Sequence, residues 1–105
     1  MEHALLTLNI PPQLEETMVD WLLEHNPSGG FTSMHVYGHG SGLSAMSVSE
    51  QVMGRQKRVQ FAIHGELAAL KNLLAQLHRD FPAAGLHHML TPVISAGPIA
   101  GVSEE

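Results

Sequence analysis

Apolar and polar positions along the chain change period several times, and each change marks an element. Ala4 to Ile10 (ALLTLNI) is a short apolar run closed by Pro11-Pro12. It reads as a strand, because proline cannot donate to a sheet ladder. Leu14, Met18, Trp21, Leu22 and His25 then recur at helical spacing, with Glu15, Glu16, Asp20 and Glu24 mainly on the other face. Pro12 suits a first helical turn, early carboxylates favour the positive end of the helix dipole, and Asn26-Pro27 followed by Ser28-Gly29-Gly30 ends the helix.

Phe31 to Tyr37 alternates, with Met34 and Val36 on one face and His35 and Tyr37 on the other. Lys57 to His64 alternates more cleanly: Val59, Phe61 and Ile63 are opposed by Arg58, Gln60, Ala62 and His64. Both segments read as strands with one buried face. Leu67, Leu70, Leu74, Leu77 and Phe81 mark a second amphipathic helix ending before Pro82, and His87 to Ile94 makes a last strand after the Ala83-Ala84-Gly85 turn. The order is β-α-β-β-α-β. It predicts an α+β ferredoxin-like sandwich, a four-stranded antiparallel sheet with two helices on one face. The other face would be open to water or a partner. Tyr37, Ala62, Leu90 and Ile94 are its expected apolar members, while Met34 and Met89 read as core fillers. Residues 1–99 form the expected domain and 100–105 a disordered tail. The connection over residues 38–56 is far longer than the two to five residues a hairpin needs.

Composition narrows the class. The 105 residues suffice for one domain, and 44% hydrophobic with 14% charged is globular. A formal charge of −5 argues against a nucleic-acid partner. The chain has no cysteine, hence no disulfide framework and no thiolate metal site. MEHALLTLNIPP has neither a basic n-region nor a cleavable apolar stretch, and no apolar run is long enough to insert in a membrane. The expectation is a soluble cytoplasmic protein.

The order of elements, the long connection and several stretches resemble the PII signalling superfamily (nitrogen regulatory protein P-II). The most similar branch is an uncharacterised one whose genes often accompany heavy-metal efflux pumps. The stretches are LLTLNIPPQLEETMVDWLLEH, GFTSMHVYGHGSG, LSAMSVSEQVMGRQKRVQFAIHG and DFPAAGLHHMLTPVISAGPI, covering residues 5–99. The SxxEQVxGRQxRVQF run from Ser47 is the most specific of them. The resemblance implies a homotrimer with sheets facing inward. It also implies that the connection corresponds to the partner-reaching T-loop, so Tyr37, His39, Ser44, Met46, Glu50, Gln51 and Met53 are the candidate effector residues. PII proteins bind ATP or ADP with a glycine- and lysine-bearing loop before the last strand. Here that region is HRDFPAAGLHHMLTPV, with no lysine and a single glycine, so no nucleotide-contacting residue is carried over.

Residue chemistry adds two candidate sites. Soft ions such as Cu(I) and Ag(I) favour thioether and imidazole ligands. His35, His39, Met46, Met53, His87 and His88 are the candidate ligands, although adjacent His87 and His88 point to opposite faces of a strand. Arg55, Lys57 and Arg58 form the chain's one basic cluster, suited to an anion, with pairing to Glu50 or to a neighbouring subunit as the alternative. Ser47 and Glu50 have capping-box spacing for a short helix inside the connection. No nucleophile elbow, HExxH or paired-carboxylate setting is present, so an enzyme is not expected. The leading expectation is a non-enzymatic regulatory protein acting through residues 38–56 on a partner, such as a membrane transporter of the efflux class. A Met/His copper- or silver-binding protein is the alternative, and an adenine-nucleotide sensor the next.

Overall fold

In a computed structural model, which describes residues 2–26, 29–39 and 55–103, the chain forms one four-stranded antiparallel sheet covered on one face by two helices. The strands are β1 (His3–Ile10), β2 (Thr32–Gly38), β3 (Gln56–Glu66) and β4 (His87–Pro92). Helix α1 spans Glu15–His25 and helix α2 spans Leu67–Asp80. Spatial order is β2-β3-β1-β4, so the first and third strands are central and the other two form the edges. This is the ferredoxin-like arrangement expected from the sequence.

The core follows from strand parity. Ala4, Leu6, Leu8 and Ile10 of β1 are buried, and the register Leu6↔Ile63, Leu8↔Phe61 and Ile10↔Val59 brings the apolar side of β3 alongside them. Met18, Trp21 and Leu22 of α1, with Leu70, Leu73 and Leu77 of α2, cover this surface. Leu73 is the core position of α2 that the stripe of apolar residues read from sequence leaves out.

The turns explain the element ends. A 3-10 turn at Pro12–Leu14 precedes α1, with Leu14 N–H donating to the Pro11 carbonyl at 3.0 Å. Asn26 closes α1: its N–H donates to Leu22 O at 2.9 Å, its Nδ2 to Gly30 O at 3.1 Å, and Gly29 takes φ +77°. Such a φ is cheap only for glycine. The two helix ends meet where Trp21 Nε1–H donates to Asp80 Oδ2 at 2.8 Å. There the indole also stacks on His25 and meets Phe81 edge-on, with ring centroids 4.1 and 5.9 Å apart.

Strand β2 departs from its expected facing. Its register, Ser33↔Phe61, His35↔Val59 and Tyr37↔Lys57, turns His35 and Tyr37 toward the helix side. Met34 and Val36 therefore lie on the open side. Leu90, paired with Leu6, packs against the core and not on the open face. Met34 and Met89 are exposed rather than core fillers. The physical reason is coverage: β2 is an edge strand whose exposed positions include His35 beside Glu15 at the start of α1, so among the described residues no deep core selects which of its faces must be apolar.

Candidate functional site

Strands β2 and β3 leave the sheet together at the pair Gly38↔Gln56, and the long connection springs from that point. Its base is built on the helix side from three strand positions. The Arg55 guanidinium carbon lies 4.2 Å from the centre of the Tyr37 ring, a cation–π contact. Lys57 is the cross-strand partner of Tyr37, and one pairing further His35 faces Val59. His35 Nε2 sits 3.2 Å from both carboxylate oxygens of Glu15 in the first turn of α1. His35, Tyr37, Lys57 and Val59, together with Pro12, Val36 and Arg58, line a cleft of about 480 Å³. The pair is largely solvated, so its worth to stability is small, about 0–1 kcal/mol.

The basic cluster is divided. Arg55 and Lys57 share the helix side, whereas Arg58 lies across from Val36 on the open side and donates to Gln56 Oε1 at 2.8 Å. His39 is exposed just beyond β2. Ser44, Met46, Glu50, Gln51 and Met53, with the short helix expected around Ser47, lie outside the described residues.

The imidazoles named from sequence are spread out. His35 belongs to β2 and His87 and His88 to β4, the two edges, with β3 and β1 between them. At about 4.8 Å per strand the separation is roughly 14 Å, too far for one ion. His87 lies on the open side beside Asn9, while His88 lies on the helix side beside Leu8. His88 and His78 line a second cleft of about 300 Å³ between the end of α2 and β4, with Leu74, Leu77, Phe81 and Leu86. No lysine or arginine lines it, so it offers a phosphate no permanently charged side chain. Among the described residues, no group of three histidine or carboxylate side chains is placed to hold a metal.

The open side of the sheet carries Leu5, Thr7, Ala62, Val36, Met34 and Met89. Two polar pairs bridge its central strands. Gln60 Nε2 donates to Asn9 Oδ1 at 3.0 Å, and His3 Nε2 lies 2.9 Å from His64 Nδ1. The sequence reading does not single out His3 or His64. Their only signal is parity, and contact across strands needs the register as well.

A small ferredoxin-like sheet with an open face and a long connection between its second and third strands defines a PII-like fold. Sequence comparison gives the family: the chain belongs to the DUF3240 family, described as a protein of unknown function, which matches residues 1–100. A solved DUF3240 protein from Shewanella baltica is 19% identical, with a TM-score of 0.75 over 94% of this chain and 98% of that one. CutA from Synechococcus elongatus is 13% identical, with a TM-score of 0.65 over 88% and 77% of the two chains. A PII-like signalling protein from Thermus thermophilus is 18% identical, with a TM-score of 0.61 over 89% and 91%. At these identities the likeness shows the fold. No curated protein matches the sequence. Among the described residues, no helix is long and apolar enough to cross a membrane.

Proposed function

We propose that this chain is a non-enzymatic, PII-like regulatory protein of the cytoplasm that assembles as a homotrimer through its open sheet face. It acts on a partner protein through residues 38–56, and the efflux class of transporter is the partner that the family resemblance favours. The observation that carries this reading is the base of the connection. An edge hairpin paired to its last residues, Gly38 and Gln56, with Arg55 seated on Tyr37, gives the connection a fixed platform at one end of the sheet. The apolar open face supports assembly, because no described element covers Leu5, Met34 and Met89. Nucleotide sensing gains nothing from the cleft at His78 and His88.

The test compares the full chain with a variant lacking residues 43–52. Sedimentation velocity reads the assembly, and affinity capture of the candidate transporter reads the interaction. The reading expects a trimer in both and capture only by the full chain. Capture that survives the deletion would refute the connection as the effector element.

A further inference from the structure

On the open face, which the proposed function takes as the assembly surface, His3 and His64 bring two metal-ligating nitrogens together. In the β1–β3 ladder Leu5 opposes His64 and His3 opposes Glu66, so His3 and His64 are diagonal neighbours on the same face. Their nitrogens, Nε2 of His3 and Nδ1 of His64, are 2.9 Å apart, with the rings tilted at 45° and their centroids 5.2 Å apart. Two imidazole nitrogens hold that spacing when a single proton lies between them, donated by one ring and accepted by the other.

We propose that His3 and His64 form a two-point binding site for a divalent transition ion of the Cu(II) or Ni(II) class, the ion taking the place of the shared proton. The spacing selects the geometry. Imidazole nitrogen binds such ions at about 2.0–2.1 Å. Two nitrogens 2.9 Å apart then subtend about 90° at the ion, the cis angle of a square-planar or tetragonal site. A tetrahedral ion such as Zn(II) needs nitrogens about 3.3 Å apart, so the strands or rings would have to part. Two backbone-paired central strands carry the ligands, which leaves only ring rotation to be fixed on binding. His64 is exposed within the single chain, and in the assembly water or a group of the neighbouring chain facing it completes the coordination. The pair is distinct from the imidazoles at the base of the connection and on β4.

The experiment titrates the untagged full chain, in its native assembly, with Cu(II) and with Ni(II) by calorimetry. Electron paramagnetic resonance of the copper form counts bound nitrogens. The expected result is one ion per chain, with His64→Ala and His3→Ala each weakening binding at least about tenfold. The double variant should be no weaker than either single one, because a chelate fails with the loss of one arm. His87→Ala and His88→Ala should leave binding unchanged. His64→Ala is the decisive variant, because copper held by His3 with backbone amides and an amino terminus would survive it. Binding retained in His64→Ala, or no binding by the wild type at millimolar ion, would overturn the proposal. Circular dichroism of both variants confirms that loss of binding is not loss of fold.

Discussion

Met34 and Met89 offer a direct way to separate folding from assembly. They lie on the open face, 52% and 57% exposed, and neither belongs to the buried core. Fully burying a methionine side chain contributes about 1.5–3 kcal/mol, so covering the exposed half of each contributes about 1 kcal/mol. Two such positions in each of three chains give about 6 kcal/mol of trimer stability, or roughly 10⁴ in the association constant. That constant scales with the square of concentration, so truncating both side chains raises the dissociation midpoint about 100-fold. Met34→Lys/Met89→Lys goes further, because two charges per chain must also lose water. Sedimentation equilibrium over a dilution series measures the midpoint, and thermal denaturation at high dilution measures the fold. A double lysine variant that keeps the wild-type mass at every concentration would refute burial of this face, as would a wild type that is a monomer throughout. A Met34→Gln/Met89→Gln variant reports the same midpoint if lysine compromises folding.

Three further outcomes follow from the packing. Phe61→Ala empties a fully buried position on central strand β3, beside Phe31, and should cost about 3–5 kcal/mol in urea denaturation followed by Trp21 fluorescence. At the junction of the helix ends, the Trp21 N–H and then Arg79 hold the Asp80 carboxyl below its ordinary 3.8. A depressed folded-state value means the carboxylate stabilises the fold above pH 3.8 and loses that contribution as pH falls through the lower folded value. An acid titration of Asp80→Asn should therefore converge on the wild type at the acid end. Gly85→Ala should cost about 1–2 kcal/mol by thermal denaturation, because φ is +73° there while the new Cβ meets only Pro11 Cγ at 3.8 Å.

Much of the fold could be read from the order of residues because β1, β3 and both helices each have one deeply covered face. There the hydrophobic period reports directly what the core demands. Strand β2 was harder for the same reason inverted: with little above it, Met34 and Val36 could face outward and His35 and Tyr37 inward without penalty. The site was legible only in part. Tyr37 and Arg55 stand near the ends of an obvious long connection, but their contact depends on the two strands sharing a face. Arg58, adjacent to Lys57, was sent to the opposite face by the pleat. The junction of Trp21 and Asp80 and the meeting of His3 with His64 join residues about 60 positions apart. Only the helix packing and the β1–β3 register bring them together, and no local pattern encodes either.

The strand order also governs when the molecule can exist at all. Of the four strands, the first to be made, β1, is central, and both of its neighbours are made much later. Ala4 pairs with Gly65 on one side and with Pro92 on the other. Closing such distant pairs is slow, since loop entropy is lost before the contacts repay it. Until then the segment ALLTLNI emerges with two unpaired edges and an uncovered apolar face. A nascent chain arrested before β4 should be insoluble or chaperone-bound, and the last strand, which adds little to the core, completes the protection of the first.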